Sequence, residues 1–369
     1  MTESKCPFSN LAENNPPKES DELPKTYPGR IVSFPDDVDH LVFGMFGIQH
    51  TDENLTEVPT YLSELIELLQ LPHGAMSIER AHHIDKQGFH NQVILGYWLG
   101  RDSYDLWVES PTVKSWWANR SVSGHSKIGY WREVMSPSQD HFSYGAGKDE
   151  KSGSAAILPL IPSDRFGYWG SYRHRINASA TDQLKSPLPA LPAPQPANSR
   201  GLRLKVKGPD YMCFIREAQY WEKCGEKERA VWHDKMVAPV QTWIDFLSSN
   251  PVQTGCMSIR FCREQDVMAG TPLDRQSQFG LLLSLGHIEQ AARTQASHLC
   301  VRKEFTDLYV EPEYVPQLHP WVEVHILKSN ELLTEYINCH ELTGLLPYFA
   351  SQIADPSEKF TFSTELPES

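Results

Sequence analysis

The stretch SPLPALPAPQPANS, residues 186–199, carries prolines at 187, 189, 192, 194 and 196. Proline fixes φ and offers no backbone N–H, so this segment can be neither a helix interior nor a central strand and is expected to run as an extended connector. It divides the chain into halves whose hydrophobic patterns repeat. Before it, 41–49 (LVFGMFGIQ) reads as a buried strand, 61–71 as an amphipathic helix, 91–98 as a strand, 102–117 as a helix carrying Pro111, and 127–135 as a strand. After it, 211–216 reads as a strand, 227–247 as a helix with a break near Pro239, 279–287 as a strand, 288–298 as a short helix and 320–327 as a strand. This alternation predicts an α+β fold with helices packed on one face of a sheet and a weak structural repeat.

The chain of 369 residues is long enough to bury a large core without disulfides or a structural metal. Residues 1–35 lack periodicity and are expected to be an N-terminal tail, with order beginning near His40. The expected organisation is then a first half over 36–185, the connector over 186–200, a second half over 201–350 and a C-terminal tail over 351–369.

Thirty-four Lys and Arg against 47 Asp and Glu give a net charge of −13, and without a basic block there is no electrostatic source for nucleic-acid or anionic-membrane binding. The longest apolar stretches, near 41–48 and 279–285, fall far short of the roughly 20 residues a membrane helix needs. A polar, proline-bearing start lacks the basic and apolar regions of a secretory signal, so a cytoplasmic location is expected. Seven cysteines without a CxxC pair support neither a disulfide framework nor a zinc knuckle.

Generic motifs exclude more than they identify. GxGxxG, HExxH and GxSxG are absent, and GAGKD at 145–149 lacks the spacing of a phosphate loop. Gly-Tyr-Trp recurs at 96–98, 129–131 and 167–169, which reads first as aromatic sheet packing. Among fifteen histidines, His298 is the best local candidate for a haem ligand, because it closes the helix that follows GHIEQ.

Taken together, GYWGSYRHR (167–175), CFIREAQYWEKCG (213–225), LSLGHIEQAARTQASH (283–298) and EYINCHELTGLLP (335–347) resemble the aldoxime dehydratases. The resemblance runs from about residue 40 to 347 and includes GYWREVMSPSQDHF at 129–142. It implies a dimeric α+β barrel of two ferredoxin-like halves that binds haem b. The implied reaction dehydrates R–CH=N–OH to a nitrile, with the oxime nitrogen on ferrous iron. His298 stands at the position of the family's proximal iron ligand, and Arg175 at that of its distal arginine, with Arg173 two residues away as the alternative.

Three positions depart from the family pattern. Val322 replaces the distal histidine of a Trp/Tyr-His-Glu-Val stretch, Glu217 stands where a Ser or Thr normally holds the oxime oxygen, and Ser143 replaces the acidic residue of a Phe-Glu-Thr segment. Glu217 is therefore expected to take over proton transfer, with Arg175 orienting the oxime and Ser143 and Val322 lining the substrate. His319 and His325 flank Val322; strand parity points both away from it unless Pro320 bends His319 back. A distal carboxylate beside an arginine also suits peroxide cleavage, and loss of the histidine also suits a non-catalytic haem-binding protein, so both remain as alternatives.

Overall fold

The computed structural model describes residues 29–51, 55–120, 122–163, 172–310, 315–349, 352–353 and 359–363. A short strand, β1 (Gly29–Val32), precedes the first unit: β2 (Leu41–His50), α1 (Glu57–Leu69), β3 (Ser77–Ile84), β4 (His90–Leu99), α2 (Arg101–Glu109), α3 (Pro111–Ala118) and β5 (Ile128–Met135). Strands β6 (Phe142–Ala146), β7 (Leu160–Ser163) and β8 (Arg203–Lys205) lie between the units. The second unit contains β9 (Met212–Tyr220), α4 (Glu226–Val231), α5 (Val237–Ser249), α6 (Pro251–Thr254), β10 (Cys256–Gln265), β11 (Pro272–Leu282), α7 (Leu285–Thr294), α8 (Ala296–Val310) and β12 (His319–Leu327). Strands β13 (Leu332–Ile337) and β14 (Gln352–Ile353) follow.

These strands form one antiparallel sheet in the order β14-β8-β13-β5-β2-β4-β3-β10-β11-β9-β12-β6-β1-β7. Within it, β5-β2-β4-β3 and β12-β9-β11-β10 have the same relative order, that of a ferredoxin-like βαββαβ unit. The repeat expected from sequence is thus present, and β3 joins the units edge to edge by pairing with β10, Ala81 opposite Glu264.

Strand alternation distributes the core. In β2, Leu41, Phe43 and Met45 point to one cluster while Val42, Phe46 and Ile48 point to another, where they meet Leu62, Leu65 and Trp107. In β9 and β12, Phe214, Ala218 and Trp321 join the first cluster, whereas Cys213, Ile215, Val322 and Val324 pack with Trp243 and Ile288. Each unit therefore carries helices on one outer face, and the inner faces of both units meet, with the Phe43 and Phe214 rings 5.5 Å apart.

This shared interior contains charge. Arg216 is fully buried; its guanidinium pairs with Glu79 and with Glu264, 3.1 Å away, and donates to the Tyr97 hydroxyl at 2.8 Å. Tyr97 in turn donates to Glu323 at 2.9 Å. The polar interior also accounts for the strands that are hardest to read from periodicity. β3 reads SIERAHHI, without apolar alternation, and in β10 the apolar Met257, Ile259 and Phe261 alternate with Ser258, Arg260 and Cys262 only over its first part before the charged Arg263 and Glu264.

Other differences are local. Pro111 begins α3 at a position needing no N–H donor, so 102–117 is two helices. The break expected near Pro239 lies one turn earlier, at the π turn Trp232–Met236, which contains Lys235, the residue whose carbonyl would face the proline ring and receive no N–H from it. Residues 29–32, expected in a tail, pair with β7 and β6 instead. The strand expected over 279–287 ends at Leu282, and α7 begins at Leu285. Among the described residues, no helix is long and apolar enough to cross a membrane.

Replacing Arg216 by Leu leaves the carboxylates of Glu79 and Glu264 without their cation, and loss of one partner of a buried pair costs about 3–5 kcal/mol. Urea unfolding of Arg216→Leu is expected to show a loss of that size.

Candidate active site

The site lies on the outer face of the second unit, where β9, β12 and β6 run side by side under helices. Glu217 is opposite Val322, and Val322 is opposite Gly145; one step along, Ser143 is opposite Val324. Directly paired residues share a face of the sheet, so Glu217, Val322 and Ser143 all project to the helix-covered side. Gln278 of β11 flanks Glu217 on the same face. The next residue along β9, Arg216, points into the interior.

A turn of 3₁₀ helix, Tyr172–Arg175, supplies the other polar groups. The Tyr172 hydroxyl donates to Glu217 Oε1 at 2.6 Å, and Arg175 Nε donates to Ser143 Oγ at 3.4 Å. The Arg175 guanidinium lies 5.7 Å from the centre of the Tyr172 ring. Burial pulls Arg175 down to about 10, partly opposed by Tyr172, which leaves it a cation at neutral pH.

Arg173 does not lie beside Arg175. A 3₁₀ turn rotates successive residues by about 120°, so 173 and 175 do not share a side as they would in an extended segment. Arg173 instead pairs with Glu289 of α7, Nη2 to Oε2 3.2 Å, and donates from Nη1 to the Gln183 carbonyl at 2.9 Å. Residues 167–171, including the third Gly-Tyr-Trp, lie outside the described residues.

Across from the sheet, His298 is the third residue of α8. It does not end the preceding helix, because Gln295 between α7 and α8 has extended backbone, φ −91° and ψ 127°. Its Nδ1 lies 2.7 Å from the Ala292 carbonyl oxygen. A carbonyl can only accept, so Nδ1 carries the hydrogen and Nε2 keeps its lone pair, the arrangement an imidazole needs to ligate a metal. Burial lowers the His298 pKa, partly opposed by the negative charge of Glu217 and by the Ala292 bond. The ring packs 4.8 Å from Trp243 of α5.

The structure thus brings together five of the residues singled out from sequence, but not Arg173, His319 or His325. Glu217, Val322, Ser143 and Arg175 form the sheet side, and His298 faces them from the helix side within electrostatic reach of Glu217. One neutral imidazole opposite a wall with a carboxylate, a hydroxyl and an arginine fits the donor chemistry of a haem iron. Among the described residues, no group of three His, Cys, Asp or Glu is arranged to hold a bare metal ion. Sequence reasoning missed Tyr172. It stands inside the quoted 167–175 block, but only the turn reveals that its hydroxyl reaches Glu217.

The histidines near Val322 face the other way. His319 Nε2 bonds to Ser152 Oγ at 3.0 Å, and its ring meets Tyr220 edge-on in the interior. His325 is enclosed by the rings of Phe43, Phe142 and Phe214, with Nε2 3.7 Å from Glu323. Pro320 does not bend the strand, since β12 keeps unbroken register with β9 from His319 to Leu327. The interior His319 cannot reach the outer face.

Comparison with known proteins agrees with the resemblance read from sequence. A family model described as haem-containing dehydratase matches residues 44–345. The phenylacetaldoxime dehydratase of Bacillus sp. (strain OxB-1) is 32% identical over 328 residues, 88% of this chain and 93% of that protein. The aliphatic aldoxime dehydratase of Rhodococcus globerulus is 32% identical over 318 residues, 84% of this chain and 88% of that one. A crystal structure of an aldoxime dehydratase superposes with TM-score 0.81 at 28% identity, covering 92% of this chain and 97% of that one. Another, of an aldoxime dehydratase in complex with butyraldoxime, also gives 0.81 at 28% identity over 92% of this chain and 95% of its own.

Burial lowers His319 from 6.5 to about 4, the largest cause being desolvation. A depressed native value means that the unfolded chain binds the proton first, so its stabilisation is complete above 6.5 and is lost as pH falls towards about 4. His319→Gln is expected to flatten the decline of unfolding free energy across that window, measured by urea denaturation, and to leave turnover unchanged.

Proposed function

Because this chain belongs to the haem-containing dehydratases, we propose that it is a haem-dependent hydro-lyase that converts aldoximes, R–CH=N–OH, to nitriles and water, with Glu217 as its acid/base. The observation that carries this reading is the Nδ1–Ala292 bond of His298, which leaves the Nε2 lone pair free, so that His298 would hold the haem iron. Ferrous haem b, when bound, supplies a coordination position for the oxime nitrogen and electron density that weakens the N–O bond.

The chain's own residues handle the proton and the charge. Arg175, buried and cationic, orients the oxime oxygen and stabilises negative charge that develops there. Glu217 delivers a proton to the departing hydroxyl, which leaves as water, and then takes the carbon-bound proton. The carboxyl is thereby restored, and atoms balance with no net redox change. Ser143 shares the face with Glu217 and accepts from Arg175, which positions the guanidinium. Val322 presents no ionisable group, so proton transfer falls to the neighbouring strand. This reading includes a homodimeric assembly, as the family resemblance implies.

Support comes from the matched pair of changes: the distal histidine is absent at Val322, and a carboxylate stands directly opposite it at Glu217. Anaerobic mixing of the reduced protein with an aldoxime is expected to yield the nitrile. Glu217→Gln should retain haem and lower kcat by about 10²–10⁴-fold, the usual worth of a general acid/base; unchanged turnover would remove Glu217 from the mechanism. His298→Ala is expected to abolish stable haem uptake, read from the Soret absorbance of the purified protein.

A further inference from the structure

We infer that Tyr172 is the positioning residue for Glu217: its hydroxyl anchors one carboxylate oxygen, so that the other alone exchanges protons with the substrate. This rests on the proposed acid/base role of Glu217 and assigns a part to a residue outside the family's expected site.

Three observations converge on it. Tyr172 donates to Glu217 Oε1 at 2.6 Å, and it is almost wholly buried, 4% exposed. Its ring belongs to the same buried apolar cluster as Ile176, Leu184, Ile215 and Val322, so the hydroxyl is presented from a packed frame. The same ring lies 5.7 Å from the Arg175 guanidinium, whose Nε reaches Ser143. Tyr172 thus sits between the two charges that the reaction needs, touching one through its hydroxyl and the other through its ring.

A glutamate side chain has three torsions to order, and each unconstrained rotamer withdraws its carboxylate from the reacting geometry. A hydrogen bond to an ionised acceptor is among the stronger fixed contacts available. Glu217 stands where a short hydroxyl residue is expected from the family pattern, and a longer side chain at that place requires an added restraint. The Tyr172 hydroxyl supplies it from the neighbouring turn.

The test uses the haem-loaded protein and Tyr172→Phe, which keeps the ring beside Arg175 and removes only the hydroxyl. Haem content should be unchanged, kcat should fall about tenfold, a loss near that of one charge-assisted hydrogen bond, and KM should stay within about twofold. Adding Tyr172→Phe to Glu217→Gln should change kcat by less than about twofold, because the hydroxyl acts only through the carboxylate.

A second readout does not depend on turnover. The infrared stretch of carbon monoxide on the reduced protein should broaden or split in Tyr172→Phe as Glu217 occupies more than one position, but not when Glu217→Gln is also present. If Tyr172→Phe leaves kcat and the infrared band unchanged while Glu217→Gln inactivates, the inference about Tyr172 is overturned and the role of Glu217 stands. Equal losses from Tyr172→Phe with and without Glu217 would likewise overturn it, by showing a structural effect. If Glu217→Gln itself retains full turnover, the underlying reading fails first.

Discussion

Arg216 is the point on which both halves of the molecule close. A guanidinium that is wholly out of water must be surrounded by acceptors, and its acceptors come from different units: Glu79 on β3, Glu264 on β10 and Tyr97 on β4. The desolvation cost of that cation is offset only when the inner faces of both sheets are in place. Its attraction holds Arg216 well above the usual arginine range despite burial, which opposes it most. Glu323, joined through Tyr97, is held below the usual carboxylate range by His325, Arg216 and the Ser154 amide against the opposing effect of burial. A charged interior of this kind fixes register, because a one-residue slip of β9 would bring Glu217 inside and send Arg216 to the apolar outer face.

That constraint reaches the site through a single peptide bond. With Arg216 pinned inward, Glu217 must face outward, into the space between the sheet and α5, α7 and α8. Val322 and Ser143 acquire the same orientation through antiparallel pairing with β9 and along β12 and β6. The helix side is set independently: Gln295 interrupts the helical path, α8 restarts, and His298 turns back to the Ala292 carbonyl. Surfaces built by separate elements thus carry distinct chemistries, a neutral imidazole on one and a carboxylate with an arginine on the other.

Much of the fold was legible because apolar periodicity was strong where helices cover the sheet. The strands at 41–50, 90–99, 128–135 and 319–327 follow that pattern closely. β3, β10 and the first part of β11 were not legible, since their inner positions carry Arg, Glu, Ser and His, which form ion pairs and hydrogen bonds in the folded interior but read as solvent-facing in one dimension. At the site, blocks of sequence single out His298, Arg175, Glu217, Ser143 and Val322 as candidates. They did not disclose Tyr172, nor that Arg173 is committed to Glu289, because both depend on a 3₁₀ turn whose residues differ in direction by amounts that linear spacing does not convey.

By itself, then, the sequence determined the two-part layout, the apolar faces of the strands and helices, and the side-chain chemistry available at the candidate site. Those follow from covalent facts: proline's missing N–H, the period of a strand or helix, and side-chain chemistry. Tertiary structure alone decided which of these groups meet. The Tyr172–Glu217 bond and the interior confinement of His319 join residues distant along the chain, and such contacts exist only after sheet register and turn geometry have brought them within the few ångströms over which a hydrogen bond acts.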